Sequence, residues 1–551
     1  MIIRFRGRHG NYRVNASEDT PLAAVIADVE AQLPPHGPLA LSASPAAQGE
    51  SANKMWELPV AKLGIKHGDM FFISYEDPQA SAPAPPTAQT TTYMGDELDQ
   101  QLASKQGRIG RPQTSLCTHG PKGMCEYCQP LEPWDEGYQQ EHGIKHTSFH
   151  AWRRKTKEEG GTLEEPDFRV KPNCRQGHAP WPASFCSKCQ PPAITLQRQK
   201  FRMVDHVEFE SPKIVEQFIE FWRQTNQQRL GFLIGKYASY EEHVPLGIKA
   251  EVHAIWEPQQ IDDIDTLLLQ ELPTAGVAHA AKMLGLEVLG VVFTDLTDLG
   301  DGSGKVITKR HLNSYFLSSL EIVFGARLQN QYPHYLSSDD AVFGTAQGPM
   351  KSQGPLRFSS RFVTCCISGN EFGDIDVACY QASAQAEALV QADLVVPSTN
   401  PAVMRIQPPS DTRYVPDVSY RRINESKLTV TEDAKPAFPV DYLLVSLSHG
   451  FKTQTVADLA GGASFTVENR PAIRGQTPSQ LADWLQLSSG INTEGLTDFH
   501  ALLYLLSLGV LQSEDIDVLI GLLRAKGDQR TDLAVQLTSG PGMNTLRMLA
   551  S

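Results

Sequence analysis

The chain has 551 residues, and at roughly 150 residues per domain that length predicts three to four domains, too much for a peptide ligand or a minimal scaffold. Forty-nine Lys+Arg against 63 Asp+Glu give a formal charge of −14, which repels phosphate backbones and anionic membranes on average and argues against nucleic acid as the main partner. Nine cysteines are too few for a disulfide scaffold of this size, residues 1–30 lack the apolar core of a signal peptide, and the longest apolar-rich run, residues 501–511, falls short of the ~20 residues that span a bilayer. The expectation is a soluble, multidomain α+β protein of a reducing compartment.

Residues 1–78 read as one small α+β domain. Residues 2–6 and 12–14 alternate as a hairpin through Gly7 and Gly10. A helix follows, with Asp19 or Thr20 capping it, Pro21 at its first position and Leu22, Val25, Ile26, Val29 and Leu33 on one stripe. Residues 63–69 make a turn into the strand 70–73. Hairpin, helix, turn and final strand resemble ubiquitin and imply a ubiquitin-like β-grasp domain. Residues 78–92 are rich in Ala, Pro and Thr with almost no large apolar side chains, so residues 79–104 are expected to be a linker.

Six of the nine cysteines fall within the next stretch, residues 105–200. The first set is Cys117, His119, Cys125 and Cys128; the second is Cys174, His178, Cys186 and Cys189. In each, a Cys-x-x-Cys knuckle turns two thiolates toward one point and the earlier Cys/His pair closes a tetrahedral cage, which leaves no open position for water. Both read as structural zinc sites, two ions in all. A redox Cys-x-x-Cys would need a helix after it, and the prolines that follow Cys128 and Cys189 deny one. His142, His146 and His150 stand at i, i+4, i+8 and compete with His119 as ligand. No repeated apolar pattern separates the knuckles, so metal is expected to supply much of the folding energy, on the order of 10 kcal/mol per site. Lys and Arg outnumber Asp and Glu here, but the signs interleave and aromatic stacking platforms are sparse, so nucleic-acid binding is the weaker reading.

Residues 201–430 alternate helix and strand. Ser211 caps a helix with Pro212 first and Ile214, Val215, Phe218, Ile219 and Trp222 on one face; buried strands follow at 231–235 and 287–293, with a helix over 274–284 between them. The spacing resembles an MPN domain, the fold of the JAMM isopeptidases that hold catalytic zinc with a His-x-His pair and an Asp and use a Glu as general base. In that frame the base position carries Gln228, the His-x-His pair falls at Phe293 and Asp295, and the closing Asp is Glu321. An amide is no general base and a phenyl ring binds no zinc, so a catalytically dead domain is expected. The Gly300 to Lys305 segment fails as a phosphate loop because Leu299 stands where its leading glycine belongs. Cys365 and Cys366 follow an alternating stretch and read as buried strand residues. Residues 431–551 read as a mainly helical C-terminal domain, with helices opening at Pro478 and Ser513 and Gly527 as a C-cap.

The order of these parts, with the segments Thr118-His119-Gly120-Pro121-Lys122-Gly123-Met124-Cys125 and Asp441-Tyr442-Leu443-Leu444-Val445-Ser446-Leu447-Ser448-His449-Gly450-Phe451, resembles the nuclear protein localization protein 4 family over nearly the whole chain. The resemblance implies a non-catalytic cofactor that binds polyubiquitin and ubiquitinated proteins, pairs with ubiquitin fusion degradation protein 1 and loads substrates onto a hexameric AAA+ ATPase. It would set residues 1–78 on the ATPase's N-terminal domain and the zinc modules on its ring. A groove between the MPN-like and C-terminal parts would grip an unfolded ubiquitin. Met124, Tyr127 and Phe185 are the expected partner-contacting tips. Cytoplasm and nucleus are the expected compartments, with peripheral visits to the endoplasmic reticulum. The alternatives are a zinc-dependent JAMM-type isopeptidase and a zinc-finger nucleic-acid binder.

Overall fold

The computed structural model describes residues 1–7, 10–17, 19–30, 39–42, 50–51, 58–66, 68–75, 95–120, 123–161, 163, 165–171, 177–337, 356–453, 464–470, 473–488 and 491–551. These fall into two compact units, Met1–Thr91 and Thr92–Ser551, of mixed α/β character.

In the first unit, β1 (Ile2–Gly7) and β2 (Gly10–Asn15) form an antiparallel hairpin, α1 (Leu22–Glu30) crosses it, and β3 (Leu39–Ser42), β4 (Glu50–Ser51) and β5 (Met70–Tyr75) complete a five-stranded sheet of order β2-β1-β5-β3-β4. The expected stripe is the packed one: Leu22, Val25, Ile26 and Val29 lie against Ile3, Phe5, Val14 and Ile73. Leu33 and residues 76–94, which include most of the expected linker, lie outside the described residues. Pro21 precedes the helix and bridges to Pro59 rather than opening the first turn. The turn before β5 closes on Gly64, whose φ of +70° is the left-handed conformation that glycine adopts without strain.

The second unit begins inside the expected linker, which is a correction. Residues 97–104 form α2 (Glu97–Ser104), capped by Asp96, with Leu102 fully buried. One buried leucine per two turns is too faint a signal beside the Ala/Pro/Thr run before it. Between the cysteine sets lie α3 (Glu136–Glu141), β6 (Thr147–Ser148) and α4 (Phe149–Glu158). Here too the expectation gives way: Phe149 is 1% exposed, stacks on Phe358 and packs at a tilt against Trp152 and Phe201, so this stretch has an apolar core that sequence-distant residues complete.

After β7 (Ile194–Leu196) and β8 (Phe201–Arg202), a closed seven-stranded barrel forms. Its strands are β9 (His206–Phe209), β10 (Leu230–Ser239), β11 (Ile248–Trp256), β14 (Glu287–Asp295), β17 (Val363–Gly369), β18 (Ile375–Ala382) and β24 (Leu444–Phe451), in the order β10-β11-β9-β24-β18-β17-β14. α5 (Pro212–Thr225) starts at the Ser211 cap as expected. The hairpin β12 (Gln260–Asp262) and β13 (Leu267–Leu269) and α6 (Ala275–Met283) fall between β11 and β14. α7 (Ser319–Gln331), β15 (Tyr335–Leu336) and β16 (Leu356–Arg357) precede β17, and α8 (Ala384–Gln391) follows β18. β19 (Val395–Pro397) and β20 (Val403–Ile406) pair with β23 (Ala437–Pro439), while β21 (Val418–Ile423) and β22 (Thr429–Asp433) form a hairpin that joins β7. One apolar core packs α5 on the barrel strands and a second packs α6, α7 and α8.

The stretch after 431 was expected to be mainly helical. It first holds the end of β22, then β23 and β24, whose Val445 and Leu447 alternate into the barrel core, and the described α-helices of this stretch begin only at Pro478. Five follow: Pro478–Trp484, Phe499–Ser507, Ser513–Arg524, Asp528–Ser539 and Pro541–Ala550. Gly527 does not end the third of these; at φ +61° it caps the start of the fourth.

Candidate functional site

Cys117, His119, Cys125 and Cys128 bring one donor atom each to within 4.8 Å of one another, and so do His178, Cys186 and Cys189; Cys174 lies outside the described residues. The Sγ atoms of Cys125 and Cys128 are 3.9 Å apart and those of Cys186 and Cys189 3.8 Å, too far for a disulfide at about 2.05 Å and equal to the edge of about 3.8 Å that four thiolates at about 2.3 Å from a zinc would span. In both clusters the histidine's Nδ1 donates to the next residue's carbonyl, Gly120 or Ala179, which leaves Nε2 for the thiolates: 3.1 Å from Cys128 Sγ and 3.6 Å from Cys189 Sγ. An imidazole whose other nitrogen is tied to a carbonyl is the form that ligates a metal. In each knuckle the first cysteine's N–H also donates to the second's Sγ. The donor sets fit zinc. Of the competing histidines, His150 is buried against Asp99 at 2.9 Å, His142 stacks on Tyr138, and burial drives His146 down to about 4; none is in the first cluster.

The knuckle tips differ. Met124 and Tyr127 are 72% and 52% exposed. Phe185, 41% exposed, is held edge-on to Trp181 and against Tyr414 of the barrel unit, whose hydroxyl receives the Gln190 amide.

The four positions compared above with a hydrolase pattern, Gln228, Phe293, Asp295 and Glu321, lie just before β10, at the end of β14 and in the first turn of α7. Gln228 is buried, and its side-chain amide is fully used: the nitrogen donates to the carbonyls of Ile264 and Leu296 at 2.7 Å, and the oxygen accepts from Thr294 Oγ1 at 2.9 Å and Leu296 N–H at 3.1 Å. Asp295 and Glu321 flank Arg310. Its Nε reaches Asp295 at 2.9 Å, its two terminal nitrogens reach the Glu321 carboxylate at 2.9 and 2.6 Å, and Lys309 Nζ meets Asp295 at 2.8 Å. The guanidinium also lies over the rings of Phe293 and Tyr315. Burial pushes the Asp295 carboxyl up, but Arg310 and Lys309 more than offset this and hold it below its ordinary value. Glu321 has a second task, accepting from Ser318 N–H at 2.7 Å in the capping box that starts α7. Arg310 thus bridges the two carboxylates, and Lys309 adds a second cation at Asp295. Sequence reasoning missed Lys309 and Arg310; the pattern it used asks which ligands are present, and no motif marks a compensating cation.

A separate open groove of about 1280 Å³ runs between the barrel and the C-terminal helices, bounded by the starts of α5 and of helix Phe499–Ser507 and the ends of α6 and of helix Ser513–Arg524. Its floor is a buried ionic network. Glu257 takes Arg229 Nε at 2.7 Å and Arg470 Nε at 2.9 Å; Arg229 also meets Asp262 at 2.6 Å and the carbonyl of Asn469 at 2.7 Å. Glu468 joins Glu257's N–H to His500 Nδ1, each at 2.8 Å.

Comparisons with known protein families divide the chain close to the junction between the knuckle region and the barrel. The model of the NPL4 family matches residues 229–551, and that of the "NPL4 family, putative zinc binding region" matches residues 93–226. The chain is similar along its whole length to the nuclear protein localization protein 4 of Eremothecium gossypii (41% identical, all of this chain and 99% of that protein), of Saccharomyces cerevisiae (39%, 100% and 99%) and of Candida glabrata (40%, 100% and 99%). The chain belongs to the NPL4 family. Among the described residues no helix is long and apolar enough to cross a membrane.

Proposed function

We propose that the protein is a non-catalytic adaptor that recruits polyubiquitinated substrates to a hexameric AAA+ ATPase, together with ubiquitin fusion degradation protein 1. The first unit is a ubiquitin-like β-grasp domain that meets the ATPase, each knuckle region holds one structural zinc, and the barrel is an MPN fold without its metal. Zinc would be held in the first cage by Cys117, His119, Cys125 and Cys128 and in the second by Cys174, His178, Cys186 and Cys189, where it supplies folding energy rather than an activated water. The carrying observation is Arg310 seated between Asp295 and Glu321: an enzyme would need that space for a cation with an open coordination position.

A binder that cannot cut keeps its captive intact for the ATPase. The open groove of about 1280 Å³ between the barrel and the C-terminal helices is the seat that this reading gives an extended chain, the form in which an unfolded ubiquitin would enter. Weak ubiquitin contacts at Met124, Tyr127 and Phe185 add through effective concentration and favour long chains. The adaptor acts in the cytoplasm and nucleus and at the endoplasmic reticulum surface, in proteasomal degradation. Incubating ubiquitin chains with the purified protein tests the reading: the chains are expected to stay intact with or without zinc, and chelator-sensitive release of free ubiquitin would overturn it.

A further inference from the structure

Cys365 on β17 and Cys379 on β18 stand directly opposite each other in the antiparallel ladder, between the pairs Thr364–Tyr380 and Cys366–Ala378. Alternation along the strands sends these two thiols into the core shared with Val292, Val377 and Leu447, and sends Cys366 into the other core, with Val291 and Phe362. Cys365 and Cys379 are 0% and 2% exposed, and their Sγ atoms lie 2.9 Å apart, nearer to each other than those of either knuckle pair. Directly opposed residues of an antiparallel ladder hold their Cα atoms about 4.5 or 5.5 Å apart, inside the roughly 4.4–6.8 Å that a disulfide spans.

Metal binding is the other use of paired thiols, and it needs more donors than these two. Among the described residues no third Cys, His, Asp or Glu donor comes within 4.8 Å of both, whereas each knuckle has a histidine. We propose that Cys365 and Cys379 form a reversible cross-strand disulfide when the protein meets hydrogen peroxide, a redox-dependent clasp in the barrel wall. The thiolate of one cysteine attacks a peroxide oxygen: an S–O bond forms, the O–O bond breaks, and the departing hydroxide takes up the thiol's proton as water. The facing sulfur then attacks the sulfenic sulfur: the S–S bond forms, the S–O bond breaks, and a second hydroxide leaves as water with the second thiol's proton. Two thiols thus give two electrons to one peroxide. Burial pushes the Cys379 thiol well above its ordinary range, so its thiolate is scarce in the closed barrel and oxidation follows local opening of β17 and β18. Once made, the bond closes a loop and removes freedom from the unfolded chain.

The test treats the full chain with hydrogen peroxide, blocks the remaining thiols with iodoacetamide in denaturant and maps the fragments by mass spectrometry. The expected product has lost two hydrogens, with Cys365 joined to Cys379 and Cys366 alkylated, and dithiothreitol returns all three to alkylation. Three alkylated thiols after an oxidation long enough to consume the knuckle cysteines, a bond that includes Cys366, or a sulfinic acid in place of the bond would overturn the proposal. Cys379→Ala supplies a second measurement, because it leaves the knuckles unchanged. The melting-temperature shift on oxidation is expected to be about 5 °C more positive in the wild type than in this variant. Equal shifts in the two proteins would also overturn the clasp.

Discussion

Arg310 lies between Asp295 and Glu321 and pairs with both, and both ends of the Gln228 amide are hydrogen-bonded. Each statement has a consequence. Gln228→Glu, which restores the acidic residue type of a general base, would face a carboxylate oxygen toward the carbonyls of Ile264 and Leu296. It is expected to cost about 2 kcal/mol in urea unfolding without yielding any chain cleavage. Arg310→Ala leaves Glu321 without its cation in a half-buried place and is expected to cost about 3 kcal/mol; a loss under 1 kcal/mol would mean that the guanidinium is incidental. At this scale the sequence was readable where a role depends on one residue's chemistry. It showed that Phe293 and Gln228 carry side chains that cannot serve as zinc ligand or general base, and that His119 suits a tetrahedral cage. It could not show Lys309 and Arg310, whose role depends on β14 and α7 bringing two distant carboxylates to one point.

Between elements, the clearest lesson is the strap formed by residues 464–470. It links the barrel ends at Arg229 and Glu257 to the helix Phe499–Ser507 through Glu468 and His500. Burial pulls the His500 imidazole down, but Glu468, with Asp498 and Glu257, more than offsets this and pushes it up to about 9. The folded pKa exceeds the ordinary 6.5, so the protonated ring stabilises fully below about pH 6.5, and that contribution is lost as pH rises through about 9. Wild-type stability is therefore expected to fall between pH 7 and 10, and His500→Gln to show less of that fall. Equal pH slopes for the two proteins would contradict the assignment. Chelation acts on other elements: a strong zinc chelator is expected to expose the 105–200 region to protease before the barrel, because Met124, Tyr127 and Leu116 leave the first knuckle little apolar burial of its own. Helices and strands with a clear period, α1, α5 and β14, were legible in advance; α2, β24 and α4 were not, because their apolar residues pack on partners from other parts of the chain.

Over the whole molecule, acidity and few cysteines are averages that hide local purpose. The net charge of −14 coexists with strands β1 and β2, whose only charged side chains are Arg4, Arg6 and Arg13, and most of the cysteines lie in the two knuckle regions while Cys365, Cys366 and Cys379 are buried in barrel strands. The adaptor proposed above rests on three features of the second unit: Arg310 between Asp295 and Glu321, the two cysteine clusters and the open groove beside the C-terminal helices. The most direct measurement follows a ubiquitinated fluorescent protein in the presence of the hexameric ATPase, ATP, ubiquitin fusion degradation protein 1 and this chain, with a gel of the ubiquitin chains at the end point. The account predicts loss of fluorescence that requires this protein, with the chains still full length. Fluorescence lost without it, or chains shortened by it, would contradict the account.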